Sequence, residues 1–245
     1  VAEAFVAEIM ESIQGEGLWM GCRQAFVRLC GCNLRCAYCD TRGSWGQHQP
    51  ECQVYRGWEG QETLQRLPNP LAVDQLLGLV EGFSAPWVAV TGGEPLLWPA
   101  FLGELLPALR ARGRRVLLET NGTLGDALAR VVHEVDVISM DFKLPSAVGE
   151  DLRETHRRFL CRAAERDVYV KVVVDGATSD REVREAAECV AAVDPLIPLV
   201  LQPVSPREGA AGVGLARLGE LQRVALDVLD DVRVIPQLHR YLGAR

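Results

Sequence analysis

No apolar stretch of the 245-residue chain reaches the roughly 18–20 residues that a helix needs to cross a bilayer. No basic segment followed by an apolar one opens the sequence either, although Val1 as first residue gives that end little weight. The expectation is a soluble, cytoplasmic protein with no membrane partner. Positive charge is in deficit: 26 Lys and Arg face 33 Asp and Glu, a formal net charge of −7. Such a balance offers no broad footprint to a phosphate backbone, so no nucleic-acid partner is expected. Arg112, Arg114 and Arg115 cluster only near a predicted helix end, where cations complement the dipole, and are read as structural. Histidine is sparse, and His48, His133, His156 and His239 stand alone, without finger-like pairing. There is no internal repeat and no low-complexity tract.

Cysteine is present, but not as a disulfide framework, which belongs to short secreted domains. Of the eight cysteines, three fall in one loop, Cys32-Asn33-Leu34-Arg35-Cys36-Ala37-Tyr38-Cys39, followed by Asp40 and Thr41. Thiolates held this close can grip three corners of an iron–sulfur cube that normally takes four cysteines, leaving one iron open to a small molecule. Cys22, Cys52, Cys161 and Cys189 are scattered and read as small buried hydrophobes. Cys30, in Cys30-Gly31-Cys32, is a rival ligand; it is assigned to the end of a strand over Gln24–Leu29 and kept out of the cluster. A zinc site would want four closed protein ligands. A redox pair of Cys36 and Cys39 would leave Cys32 unexplained.

With 48% hydrophobic residues, the chain can bury one sizeable core. Strand-like runs occur at Ala25–Leu29, Trp87–Val90, Val116–Glu119, Val135–Met140, Val168–Val174, Leu199–Gln202 and Val232–Ile235. Helical spacing covers Phe101–Arg110, Leu124–His133, Leu152–Arg166, Arg181–Val193 and Leu215–Leu229. This alternation implies an α/β fold with a mostly parallel sheet and right-handed crossovers. Too few units are visible for a complete eight-fold barrel, so a partial (β/α) barrel in a single domain spanning residues 1–245 is expected. In such folds function gathers at the C-terminal ends of strands. Cys32, Gly92-Gly93, Glu119-Thr120-Asn121-Gly122 and Gln202 all fall there. Residues 42–70 read as a long loop or lid, with a short helix near Glu62–Arg66.

The cysteine spacing resembles the signature of the radical S-adenosylmethionine (SAM) superfamily. Around it stand Glu11-Ser12-Ile13-Gln14-Gly15-Glu16-Gly17, Phe26-Val27-Arg28-Leu29, Cys39-Asp40-Thr41 and Thr91-Gly92-Gly93-Glu94-Pro95. In this order the set resembles the 7-carboxy-7-deazaguanine synthase family of queuosine-type 7-deazapurine biosynthesis. The likeness is dense in residues 8–41 and 87–95. It thins to Ser139-Met140-Asp141, Gln202-Pro203 and Pro236-Gln237-Leu238-His239. It implies a radical SAM lyase that converts 6-carboxy-5,6,7,8-tetrahydropterin to 7-carboxy-7-deazaguanine with loss of ammonia. The implied cofactors are a [4Fe-4S] cluster on Cys32, Cys36 and Cys39, SAM, and Mg²⁺.

By the same resemblance SAM would meet Tyr38, Asp40, Gly93, Ser139, Met140, Asp141 and Gln202. The pterin would meet Ile13, Gln14, Gly15, Arg28 and Thr91. Thr41 would give Mg²⁺ a hydroxyl oxygen. Residue chemistry agrees where it speaks: glycines let backbone approach a ligand, Gln14 offers both donor and acceptor, and the Arg28 fork suits a carboxylate. Arg28 could instead pair with Glu11 or Glu16, and Asp40-Thr41 could simply cap a turn. A reductant such as flavodoxin or ferredoxin and a homodimer are implied as partners. A glycyl-radical activating enzyme shares the cysteine loop and glycine strip, and a non-catalytic iron–sulfur protein would need no SAM pocket.

Overall fold

A computed structural model describes residues 2–55, 63–205 and 212–244. In chain order its strands are β1 (Glu3–Ala4), β2 (Val6–Ile13), β3 (Arg23–Leu29), β4 (Glu51–Tyr55), β5 (Thr63–Pro68), β6 (Leu71–Ala72), β7 (Trp87–Gly92), β8 (Arg115–Thr120), β9 (Val137–Phe142), β10 (Asp167–Val174), β11 (Leu199–Pro203) and β12 (Val232–Val234). The helices are α1 (Val73–Glu81), α2 (Pro99–Ala111), α3 (Gly125–Ala129), α4 (Pro145–Val148), α5 (Arg153–Ala163), α6 (Asp180–Ala191), α7 (Leu215–Leu226) and α8 (Leu238–Leu242). None of them is long and apolar enough to cross a membrane.

Ten strands form one sheet in the order β12-β11-β10-β9-β8-β7-β3-β2-β4-β5. The run from β3 through β7 to β12 is parallel. The edges β5 and β12 do not pair with each other, so the barrel is partial and open, as expected. β2 lies antiparallel to β3, and the loop between them reaches across the interior: Glu16 bonds Lys171 on β10.

Each parallel strand alternates between a helix-facing core and the inner face, as the period of two requires. Ala25, Val27 and Leu29 pack outward while Phe26 points in. The inner face carries Phe26, Ala89, Leu117, Val137, Tyr169 and Val200 in one apolar layer. Two residues on (four in β9), toward the strands' C-terminal ends, the same face becomes polar: Arg28, Thr91, Glu119, Asp141, Lys171 and Gln202. Apolar side chains thus plug the barrel, and ionisable ones floor its mouth.

Three sequence expectations are corrected. Residues 42–70 are not a bare loop: a short 3₁₀ turn (Arg42–Trp45) leads into β4, which extends the sheet beside β2 and turns back into β5. The helix expected near Glu62–Arg66 is strand from Thr63 onward, and Glu62 lies outside the described residues. Cys52 and Val54 are buried and alternate with Glu51 and Gln53, a two-residue period too short to stand out. The helix expected over Leu124–His133 shrinks to α3 and a 3₁₀ turn, Val132–Glu134, and the following strand starts at Val137. β2 and α1 went unread, although α1 buries Val73, Leu76, Leu77 and Val80 at helical spacing.

Candidate active site

A cavity of about 1070 Å³ opens above the polar inner layer, and Cys32, Cys36 and Cys39 all line it. The cysteine loop leaves β3 through Gly31, whose φ of +91° suits glycine. Two backbone bonds tie it to β7: Gly93 N–H donates to Leu29 O at 3.2 Å and Glu94 N–H to Gly31 O at 2.7 Å. Ala37 N–H donates to Ala147 O of α4 at 3.0 Å. Cys30 is fully buried away from the cavity, and burial pushes its thiol up to about 11.

Asn121 holds the loop from the far side. Its Nδ2 donates to Asn33 Oδ1 at 2.8 Å, while its Oδ1 accepts from Thr123 Oγ1 at 2.6 Å. Its backbone is fixed by Glu94 Oε2 (2.7 Å) and His156 Nε2 (3.1 Å). Glu94 is fully buried, and desolvation raises its carboxyl to about 7 against the pull of these donors. Truncation of Asn121 to alanine leaves the exposed Asn33 only its Nδ2 bond to Thr123 and should cost about 0.5–1.5 kcal/mol. The variant is expected to lose iron to a chelator faster than wild type, measured as the rate of cluster bleaching.

The donor set fits a cube with one open corner. Burial raises the Cys32 and Cys36 thiols, and the Lys143 ammonium draws them back. Among the described residues, the ligand atoms that gather within 4.8 Å of one another are those of Glu16, Asp40 and His239, not the three sulfurs. The three thiols are therefore not drawn around a single small ion, as a closed zinc site would require. Beside them lie Gly92 and Gly93, and Gln202 Oε1 is buried on the cavity with no hydrogen-bond partner among the described residues. An unmade bond of that kind is costly unless a ligand completes it. Tyr38 lines the same region, its ring facing Lys143 Nζ at 5.4 Å.

Of the residues expected to meet SAM, Ser139 and Met140 do not line the cavity. Ser139 hydrogen-bonds Tyr169 one layer deeper, and Met140 is fully buried in the helix-facing core. Strand alternation turns Met140 away from Asp141, which does face the cavity, whereas Ser139 shares the face of Asp141 but lies one layer beneath it.

Ile13, Gln14, Gly15, Arg28, Thr91 and Thr41 line the same cavity. Gln14 Nε2 donates to Glu119 Oε1 (2.8 Å) and Gln24 Oε1 (3.2 Å), and its Oε1 accepts from Glu16 N–H at 3.1 Å. Its side-chain amide is thus spent on positioning Glu119. Thr91 Oγ1 donates to Glu119 Oε2 at 2.8 Å. Arg28 pairs with Glu8 at 2.7 Å, rather than with Glu11 or Glu16. Gly15 is required by His239, whose Nδ1 would lie 1.9 Å from any Cβ there. Thr41 Oγ1 sits 3.8 Å from Cys39 Sγ. Asp40 is held by Arg240 (3.1 Å) and Gln237 (3.2 Å).

Sequence reading missed a chain of charges across the floor. Lys143 Nζ meets Asp141 Oδ2 at 2.9 Å, Lys171 Nζ meets Asp141 Oδ1 at 3.0 Å, and Lys171 also binds Glu16. Burial alone would raise the Glu16 carboxyl, but Lys171 and Gln237 hold it at about 2. A signal was there: Lys143 and Lys171 are the only lysines in the sequence, and both occupy inner-face positions.

A partial parallel barrel with three loop thiols over its mouth defines a radical SAM protein, and the chain belongs to that superfamily, whose family model matches residues 27–186. Membership makes it an enzyme using a [4Fe-4S] cluster and SAM. Within the superfamily the chain belongs to the 7-carboxy-7-deazaguanine synthases. It is 41% identical over 247 residues to the 7-carboxy-7-deazaguanine synthase of Geobacter sulfurreducens, covering 98% of this chain and 97% of the relative. To that of Methanothermobacter thermautotrophicus it is 36% identical over 264 residues, covering 98% and 97%. Among solved structures it is similar to QueE from Escherichia coli (TM-score 0.63, 22% identity, 97% of this chain and 95% of that one), a likeness of fold alone.

Proposed function

We propose that the protein is a radical SAM lyase that converts 6-carboxy-5,6,7,8-tetrahydropterin to 7-carboxy-7-deazaguanine with loss of ammonia, in queuosine-type 7-deazapurine biosynthesis. One observation carries the reading: the three cluster thiols and a prearranged set of polar groups (Glu119, Thr91, Arg28) line the same cavity. When bound, the cluster and SAM supply a 5′-deoxyadenosyl radical as hydrogen-abstracting agent.

In this reading Cys32, Cys36 and Cys39 hold three irons, and the Gly92-Gly93 strip, Asp141 and the unpartnered Gln202 Oε1 receive SAM. Glu119 is the central polar group of the pterin end. Burial raises its carboxyl while Lys171, Gln14 and Thr91 act in the opposite direction, so an acceptor is kept in place without a flexible side chain to order. Arg28, fixed by Glu8, points its fork at the substrate carboxylate. Thr41 offers one hard oxygen to Mg²⁺, an ion that keeps most of its waters and takes its other ligands from substrate. The apolar layer beneath excludes water from the reacting face.

The test is anaerobic turnover by reconstituted protein with the carboxypterin, SAM and dithionite. Consumption of the pterin with matching release of ammonia and 7-carboxy-7-deazaguanine is expected, measured by chromatography. A cluster-replete sample that leaves the pterin intact overturns the reading.

A further inference from the structure

The cysteine loop carries charge of the opposite sign to the chain as a whole, whose formal net charge is −7. Between Gly31 and Pro50 stand two arginines, Arg35 and Arg42, and one carboxylate, Asp40. Arg240 already takes that carboxylate at 3.1 Å. Both loop arginines are exposed, and neither pairs with a carboxylate among the described residues. On α5, by contrast, Arg157 and Arg158 both bind Glu154, and Arg153 binds Asp151. Arg115, exposed and stacked on Trp87, belongs to the start of β8, at the opposite end of the strands from the thiols.

What holds Arg35 and Arg42 is uncharged. Arg35 Nη1 donates to Cys32 O and Leu34 O at 2.8 Å each, and Arg42 Nη2 donates to Ala37 O at 2.9 Å. Both guanidinium groups lie over the same ring, Trp45, at 5.2 and 5.5 Å from its centroid. Trp45 is half-buried and lines the cavity on its other side. Gly43, Gly46 and Gln47 around it are exposed and uncharged. The result is two fixed, unmatched positive charges directly over the loop that bears the cluster thiols. Guanidinium groups already ordered by stacking and backbone bonds lose little freedom when they meet a carboxylate. An acidic macromolecule is repelled by the rest of this acidic chain and drawn to this face, which steers encounter toward it.

We propose that the Arg35–Trp45–Arg42 face is the docking surface for an acidic one-electron carrier protein. The carrier loses one electron and the cluster beneath gains it; no bond forms or breaks and no proton is transferred. The proposal rests on the reading that the three thiols hold a reducible cluster.

The experiment compares wild type, Arg42→Glu and Arg42→Lys as reconstituted full chains, each driven either by titrated reduced flavodoxin or by dithionite. Arg42→Glu is expected to raise the flavodoxin concentration for half-maximal rate about ten-fold at low salt, with the dithionite-driven rate unchanged. Arg42→Lys, which keeps the charge, should stay close to wild type. Wild-type half-saturation should also rise between about 50 and about 300 mM salt, as screening shortens the reach of the charges. Equal half-saturation for Arg42→Glu and wild type overturns the proposal. If that variant cannot retain its cluster, a wild-type half-saturation indifferent to salt overturns it instead. Failure of wild type with dithionite would strike the catalytic reading and not the docking face.

Discussion

Replacement of Gly93 by alanine is expected to lower turnover about 100-fold and to reduce iron loading, because the loop that presents the thiols has no room for a methyl group. A Cβ at this position would stand 2.1 Å from Gly31 O and 2.8 Å from Cys32 Cβ. The first obstacle is backbone, fixed by the Glu94 N–H bond at 2.7 Å, so no side chain can rotate out of the way. The end of β7 must part from the loop, and Cys32 moves with it. Gly103→Ala on α2, where a Cβ meets nothing within 4 Å, is the control and should leave activity at the wild-type level. Iron and sulfide content together with initial rate decide the matter. Full loading with a normal rate in the Gly93 variant would refute the steric account.

Lys171→Met is expected to be the most destabilising single change in the cavity floor. The lysine side chain is 7% exposed and bridges Glu16 and Asp141. Its loss leaves Glu16 with Gln237 and Asp141 with Lys143, two partly buried carboxylates sharing too little positive charge. Removing one partner of a buried ion pair costs about 3–5 kcal/mol. In a domain of this size that lowers the thermal midpoint by about 10 °C. Acid provides the check on mechanism. Glu16 titrates at about 2 in the folded protein against an ordinary 4.5, so its stabilisation is complete above 4.5 and is lost as pH falls toward 2. The gap between variant and wild type should therefore narrow below about pH 4.5, read by thermal denaturation at a series of pH values. A gap of constant size would assign the loss to packing.

The parallel half of the sheet was legible because its strands are apolar on both faces and their motifs sit at one end. Trp87–Val90, Val168–Val174 and Leu199–Gln202 each lie within an observed strand. The antiparallel flank was not legible. β2 mixes Glu8, Glu11 and Ser12 with its apolar residues: Glu8 faces the polar cavity, while Glu11 on the other face bonds Arg23 and the Ala85 N–H, and together they blur the alternation. β4 exists only because β2 offers an edge, information that no local window holds. At the site, the cysteines, the glycine strip, Gln14, Arg28, Thr91 and Gln202 were read from motifs, and the cavity gathers them all. Glu119 was placed at the end of its strand without a role, and Lys143 and Lys171 carry no motif of their own. They become visible only once strand parity shows which residues point inward. Met140 and Ser139 lie off the cavity for two different reasons: Met140 has the opposite parity to Asp141, and Ser139 has the same parity one layer deeper.

The confinement of both lysines to the cavity floor gives the molecule a built-in reporter of its own integrity. A protease that cuts only after lysine has no accessible target on the folded exterior, since Lys143 is 7% exposed and Lys171 is 6% exposed. Cleavage by such an enzyme must wait for the barrel to come apart, so its rate counts opening events rather than surface fraying.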